Sequence, residues 1–80
     1  MRVGVLVFGI AREIVGNGSV TIQVNDVATV AQLKKELILQ YPELAGLASF
    51  AIAVNGVYAT DDMIIKQADE VAVIPPVSGG

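Results

Sequence analysis

The sequence predicts an α+β fold in which one main helix packs on one face of a small mixed sheet. Three observations support this prediction. Short runs rich in β-branched residues occur near both ends and in the middle of the 80-residue chain. One segment, residues 29–42, has the apolar spacing of an amphipathic helix. An Asn-Gly pair at positions 55 and 56 separates two apolar runs, which is typical of a tight β-hairpin.

Two strands and a connection are predicted before the helix. Residues 2–8 form a strand that is apolar on both faces, which favours a central position in the sheet. Residues 9–19 are predicted to be a connection, with a short helical turn between Ile10 and Val15. Residues 19–24 alternate between polar and apolar side chains, as in a half-buried strand. The two strands together predict an antiparallel hairpin.

The helix has a predicted start, stop and buried face. Thr29 with Gln32 three positions later resembles a capping box. Pro42 ends the helix, because the residue before a proline resists the helical conformation. Leu39 lies nearly opposite the apolar face and is expected at the surface. The apolar face itself is formed by Val30, Leu33, Leu37 and Tyr41.

Strands are predicted to follow the helix. Residues 50–54 and 57–59 form the arms of the second hairpin, and residues 69–76 form a last strand that prolines terminate. The first and last strands are apolar on both faces, but one helix covers only one face of a sheet. The other face is therefore expected to expose an apolar patch, which commonly marks a partner surface, unless residues 9–18 or 43–49 fold over it.

The composition disfavours several classes of function. The net charge is −3 and no basic run occurs, so neither nucleic acid nor a membrane surface is an expected partner. Cysteine and histidine are both absent, which removes thiol nucleophiles and the usual metal ligand and general base. Ser19, Ser49 and Ser78 therefore have no histidine for a hydrolase triad. With no signal peptide or membrane-spanning stretch expected, we predict a cytoplasmic protein.

Arg12 is one candidate functional residue, because few basic residues occur in the chain. As a solvated side chain or a member of a local ion pair, Arg12 would contribute little to the stability of the fold. As a functional residue it would anchor a carboxylate of a partner, since a guanidinium binds carboxylates bidentately. The acidic residues near positions 61 and 69 lie in predicted turns, where acidic side chains commonly cap the backbone and keep the protein surface soluble.

The two glycines at the C-terminal end, Gly79 and Gly80, are the other candidate. Glycine has no Cβ, so its backbone fits a narrow channel of another protein, and Pro75 with Pro76 would hold the tail extended and away from the body of the domain. A terminal carboxyl is ionised at neutral pH and a poor electrophile. It would have to be activated, for example as an acyl-adenylate, before a sulfur or amine nucleophile displaces AMP. A simple flexible end is the alternative.

Three stretches resemble a known family: VLVFGIAREIVG (5–16), AVNGVYA (53–59) and DEVAVIPPVSGG (69–80). They resemble the small subunits of molybdopterin synthase, within the ubiquitin-like β-grasp sulfur carriers. Pro-Pro-Val before the Gly-Gly end favours this group over carriers of the thiamin pathway and over general ubiquitin-like modifiers. The resemblance implies a β-grasp domain over residues 1–74 and a flexible C-terminal tail over residues 75–80.

The resemblance also implies a mechanism and partners. An E1-like adenylyltransferase would use ATP to adenylate the carboxyl of Gly80, and a cysteine desulfurase or rhodanese-type donor would convert it to a thiocarboxylate. The C-terminal tail would enter the active site of the large catalytic subunit, with which the chain would form a 2:2 heterotetramer. There it would pass sulfur to cyclic pyranopterin monophosphate to form the molybdopterin dithiolene. The chain is not expected to be catalytic alone, nor to bind a permanent cofactor or a metal.

Several site residues are implied by the same resemblance. Gly80 is the reactive residue, and the implied partner-binding residues are Gly79, Ser78, Val77, Pro76, Pro75, Ile74, Arg12 and Phe8. The chain departs from the family at Ala68, where glycine is frequent, and at Ile74, where an aromatic residue is common. The remaining alternatives are a sulfur carrier for thiamin or tRNA thiolation, a ubiquitin-like protein modifier, and an interaction module with an inert end.

Overall fold

The structure is a computed structural model that describes residues 1–47 and 50–75. Residues 48–49 and 76–80, on which some predictions fall, lie outside the described residues. The elements are β1 (Arg2–Val7), α1 (Gly9–Val15), β2 (Ser19–Gln23), β3 (Ala28–Thr29), α2 (Val30–Gln40), a 3-10 helix (Pro42–Gly46), β4 (Ala51–Val54), β5 (Val57–Tyr58), β6 (Ile64–Ile65) and β7 (Val71–Ile74). Neither α-helix in these ranges is long and apolar enough to cross a bilayer.

The main sheet has five strands in the order β2-β1-β7-β4-β5. The hairpins β1–β2 and β4–β5 are antiparallel, as predicted, and β7 pairs parallel with β1 and antiparallel with β4. The first and last strands are thus interior strands, which agrees with their two apolar faces. The predicted α+β fold, a mixed sheet with a main helix on one face, is confirmed.

The core lies between the sheet and α2. Alternate residues of β1 are buried, and α2 adds its predicted apolar face, with Tyr41 half-buried at the end. The capping box is present: Gln32 N donates to Thr29 Oγ1 at 3.2 Å, and Thr29 N donates to Gln32 Oε1 at 2.8 Å. Leu39 is 65% exposed, as expected. The buried residues of the sheet and α2 include Val3, Val5, Val7, Val71, Val73, Ile52, Val54, Val30, Leu33 and Leu37.

Three short elements differ from the prediction. The predicted connection after β1 contains a helix of seven residues, α1, which buries Ala11 and ends at Gly16 with φ +85°. Strands β3 and β6 were not predicted; they pair as a separate two-stranded sheet with Ala28 opposite Ile65. Two-residue strands are too short to show a hydrophobic alternation, so only the tertiary pairing reveals them.

The 3-10 helix also corrects one alternative for the segment after α2. In that alternative, residues 43–49 cover the second face of the sheet. Instead Leu44, which is 1% exposed, joins the core that α2 and the sheet share. The short helix starts at Pro42, which cannot continue α2 but is tolerated at the first position of a new helix.

Candidate functional site

The face of the main sheet that points away from α2 is apolar and accessible. On this face Phe8 is 49% exposed and Tyr58 71% exposed. The alternate residues of β1 and β7 point to the other face and are buried. Residues 9–18 and the described part of segment 43–49 leave it uncovered, so the predicted exposed patch is confirmed. We call this surface the open face; it consists of Leu6, Phe8, Ala53, Tyr58, Ala72 and Ile74.

The strand register places small residues at the centre of the open face. Leu6 pairs with Ala72, Ala72 with Ala53, and Ala53 with Tyr58. The two alanines are therefore flanked by larger side chains on both sides. The result is a shallow concavity of ≈ 260 Å³, which Gly56 and Glu70 complete. Such a surface has the shape and polarity to accept an apolar side chain of a partner.

The chain leaves the main sheet at the edge of the open face. Val7 and Val73 form the last residue pair between β1 and β7, so Phe8 and Ile74 follow side by side. Pro75 is half-buried, and its ring lies against Gly9, where a methyl group would be 3.1 Å from Pro75 Cγ. The structure thus brings together three of the predicted partner-binding residues: Phe8, Ile74 and Pro75.

Arg12 lies on α1, in the segment that was predicted to contain a short helical turn, and is exposed. Its guanidinium lies over Gly18, where a methyl group would be 3.7 Å from both Cζ and Nε of Arg12. Within residues 1–47 and 50–75, Arg12 forms no ion pair. Gly18 O accepts a hydrogen bond from Val7 N at 2.9 Å, so the Gly18 backbone beneath the Arg12 guanidinium lies on the β2 side of β1, and β7 lies on the other side.

A hydrogen-bonded network borders the open face at the start of β7. Asn55, in the β4–β5 turn with φ +53°, donates through Nδ2 to Asp69 Oδ1 at 3.0 Å and accepts at Oδ1 from Glu70 N at 2.9 Å. Asp69 Oδ2 also accepts from Lys66 N at 2.8 Å. The Lys66 N–H and then the Asn55 amide favour the charged carboxylate and lower the pKa of Asp69. This network fixes the hairpin turn against β7.

A second concavity, of ≈ 330 Å³, lies at the other end of the sheet. Gln23 in its wall pairs with Arg2 at the start of β1, far from Phe8. Its lining is largely polar and contains Gln23, Val24, Asn25, Ala28, Gln32, Lys35 and Glu36. No group of three acidic residues in the described part of the chain is arranged to hold a metal ion.

The predicted residues Pro76, Val77, Ser78, Gly79 and Gly80 lie outside the described residues, and their roles stay predictions. Tyr58, Ala53 and Gly9 were not singled out from the sequence. The Asn-Gly turn contained the signal for the first two, because a two-residue hairpin loop sets the register that puts Ala53 opposite Tyr58. The contact between Gly9 and Pro75 joins residues distant in sequence and had no such signal.

Residues 5–80 match the model of the ThiS family. The chain belongs to the ThiS family. The family predicted from the sequence is thereby confirmed. The chain is 37% identical to a molybdopterin synthase sulfur carrier subunit of Arabidopsis thaliana, over 100% of this chain and 84% of the relative. It is 40% identical to the protein of that name from Homo sapiens, over 99% and 94% of the two chains.

Solved structures show the same fold. A putative molybdopterin converting factor subunit 1 from Pyrococcus furiosus has a TM-score of 0.87 and 29% identity, over 96% of this chain and 99% of the other. The small archaeal modifier protein 1 of Haloferax volcanii has a TM-score of 0.85 and 26% identity, over 100% of both chains. A chain in a complex of subunits 1 and 2 of the molybdopterin-converting factor from Helicobacter pylori has a TM-score of 0.68 and 27% identity, over 100% of both.

Proposed function

We propose that this chain is the sulfur carrier subunit of a molybdopterin synthase. The observation that supports this most is similarity over almost the whole chain to proteins of that name, at 37% and 40% identity. The open face adds a physical argument, because it is an accessible apolar surface at the point where the chain leaves the sheet toward its Gly-Gly end.

The terminal carboxyl of Gly80 is the proposed reactive group. One of its oxygens attacks the α-phosphate of ATP on an E1-like adenylyltransferase, which releases pyrophosphate and leaves an acyl-adenylate. The terminal sulfur of a persulfide on a desulfurase or rhodanese-type donor then displaces AMP and forms an acyl disulfide with the donor. A second thiol attacks the donor's sulfur of that disulfide, forms a new disulfide with it and releases the thiocarboxylate. This chemistry requires no cysteine or histidine of the carrier, and the sequence has neither. We also propose a cytoplasmic location, because a chain without cysteine forms no disulfides and so needs no oxidising compartment.

The large subunit is the proposed partner for the open face. Phe8, Tyr58 and Ile74 would contact apolar side chains of that subunit, and Arg12 would pair with a carboxylate at the margin. The Helicobacter pylori structure, a complex of subunits 1 and 2, supports an assembly of this type. A 2:2 composition, with Gly79 and Gly80 inserted into the active site of the large subunit, completes the proposal.

Intact mass spectrometry tests the carrier chemistry. The chain is incubated with ATP, a sulfur donor and an E1-like adenylyltransferase of the same source. We expect a mass gain equal to the replacement of one oxygen by sulfur, located in the C-terminal peptide, and transfer of that sulfur to cyclic pyranopterin monophosphate when the large subunit is added. The control is the chain without Gly80, which should fold normally and gain no mass. An unchanged mass with an enzyme active on another carrier would contradict the proposal.

A second candidate is a ubiquitin-like protein modifier, which the similarity to the Haloferax volcanii modifier favours. In that function an amine of a target lysine, rather than a sulfur nucleophile, attacks the activated carboxyl of Gly80. Denaturing gels of cell extracts distinguish the two functions. Conjugates of higher mass that require Gly80 would support the modifier, whereas thiocarboxylate without conjugates would support the sulfur carrier.

A further inference from the structure

Gly9, the first residue of α1, has two separate reasons to be glycine. Its φ is +55°, a left-handed conformation that residues with a side chain adopt at a cost. In addition, a methyl group at this position would lie 3.1 Å from Cγ of Pro75. Carbon atoms in ordinary contact are about 3.5–4.0 Å apart. A side chain at position 9 would therefore push the Pro75 ring away from α1.

Gly16 serves as a control that separates the effect of the left-handed backbone from the effect of the contact with Pro75. Its φ is +85°, so it needs the left-handed conformation as Gly9 does, but a methyl group there would have no atom within 4 Å. Both glycines belong to the same short element, one at its start and the other at its end. Alanine at Gly16 would therefore reproduce the backbone strain of alanine at Gly9 without the contact to Pro75.

We propose that Gly9 is a positioning residue for the reactive end of the chain. The absence of a side chain at Gly9 lets the Pro75 ring pack against the start of α1, and this packing sets the direction in which the backbone leaves β7 toward Gly80. Proline has a nearly fixed φ, so a held ring also orients the residue that follows. The inference rests on the proposed function, because this direction matters only if the terminal carboxyl must reach an active site on another protein.

A small change in the orientation of Pro75 would move the terminal carboxyl by a larger distance. Five residues follow Pro75, and a fully extended segment of five residues reaches roughly 17 Å. The next residue in the sequence is Pro76, and consecutive prolines favour a stiff, extended backbone. A rotation of about 10° at Pro75 would move the end of such a segment by roughly 3 Å. A misplacement of about 1 Å at a reacting group is enough to cost about 10²-fold in rate.

Four variants test the proposal: Gly9→Ala, Gly16→Ala, Pro75→Ala and the double variant Gly9→Ala/Pro75→Ala. The first readout is NMR of the isolated chain. We expect a nuclear Overhauser effect between the Gly9 Hα and Pro75 Hγ protons of the wild type. We also expect the amide signal of Ile74 to shift in Gly9→Ala but not in Gly16→Ala. Thermal denaturation checks that the two alanine variants lose similar stability.

The second readout is single-turnover sulfur transfer from the thiocarboxylate form at saturating large subunit. We expect Gly9→Ala to slow transfer by about tenfold or more, with little change in the Kd for docking, and Gly16→Ala to leave the rate unchanged. Pro75→Ala removes Cγ and hence the clash, so the double variant should be no slower than Pro75→Ala alone.

Equal rates for Gly9→Ala and Gly16→Ala would overturn the proposal, as would effects of Gly9→Ala and Pro75→Ala that multiply in the double variant. A wild-type chain that accepts no sulfur would contradict the proposed function instead. In that case the NMR readout still decides whether Pro75 packs on Gly9, and a missing Overhauser effect would overturn the inference by itself.

Discussion

At the scale of single residues, the open face combines large exposed side chains with small central ones. Ala53 and Ala72 occupy the middle of the sheet, where bulkier residues would fill the concavity, and Tyr58 and Phe8 stand at its margins. Interfaces draw most of their affinity from a few such aromatic residues. Ile74 contributes further apolar surface to the same face.

Replacing Phe8 by alanine should weaken docking to the large subunit. Removal of an aromatic side chain from an interface typically costs about 1–3 kcal/mol of binding free energy, which corresponds to a rise in Kd of about 5- to 150-fold. Isothermal titration calorimetry measures the Kd. The matched control is Leu39→Ala, because Leu39 is an exposed apolar residue on α2, away from the open face. An equal loss of affinity in both variants would show that the open face is not the docking surface.

Asp69 should make the stability of the domain depend on acid pH. Because its pKa in the folded chain is lowered from the ordinary value of 3.8, its carboxylate stabilises the fold above that pH, and this stabilisation disappears as the pH falls through the lower folded value. Asp69→Asn should therefore have a lower Tm than the wild type at neutral pH, and the difference should shrink below pH 3.8. Thermal denaturation from pH 7 to pH 2 measures it.

The control for the Asp69 experiment is Glu36→Gln, which removes one negative charge from an exposed position of α2. Its Tm difference from the wild type reports the effect of net charge alone. If Asp69→Asn gives the same pH profile as Glu36→Gln, the hydrogen bonds from Lys66 N and Asn55 Nδ2 do not stabilise the folded state.

At the scale of elements, α2 and the two hairpins are locally encoded, whereas the short elements depend on packing. The start of α2 is specified by Thr29 and Gln32, whose reciprocal hydrogen bonds satisfy two N–H groups that a helix terminus leaves without partners. In contrast, β3 and β6 are each two residues long and pair with each other. Isolated two-stranded pairs are at best marginally stable, so these strands depend on the surrounding core.

Loss of the helix cap should destabilise the domain measurably. Thr29→Ala removes the oxygen that accepts from Gln32 N and should lower the free energy of unfolding by about 0.5–2 kcal/mol. Urea denaturation followed by circular dichroism measures this change. Thr29→Ser retains the accepting hydroxyl and is the matched control. A serine variant as unstable as the alanine variant would mean that the Thr29 methyl group, and not the cap, is responsible.

At the scale of the whole molecule, the proposed docking surface and the proposed reactive group lie in different parts of the chain. The open face belongs to β1, β4, β5 and β7 of the main sheet, and the proposed reactive carboxyl belongs to Gly80 beyond them. The two parts meet at Gly9 and Pro75. This arrangement separates affinity for a partner from reactivity, so each part should be removable without the other.

A chain without Gly80 should therefore act as a competitive inhibitor of sulfur transfer. It retains the open face, so its inhibition constant should be within about tenfold of the Kd of the full chain, because few residues supply most of the affinity of an interface. Steady-state assays with increasing truncated chain measure this. The truncated chain that also has Phe8→Ala should inhibit poorly. An absence of inhibition by the first would mean that the C-terminal residues, rather than the open face, provide the affinity.

The sequence by itself determined the fold class, the main helix with its cap, both hairpins and the family, because these depend on local periodicity, turn chemistry and short motifs. It also predicted that one face of the sheet would be apolar and exposed. Only the tertiary structure decided that Leu44 closes the core on the helix side, that β3 pairs with β6, and that Ala53, Ala72 and Tyr58 form one concavity. The contact of Gly9 with Pro75 was likewise decided only by the tertiary structure. Each of these features joins residues that are distant along the chain, and such contacts follow from the packing of the whole core rather than from any local pattern.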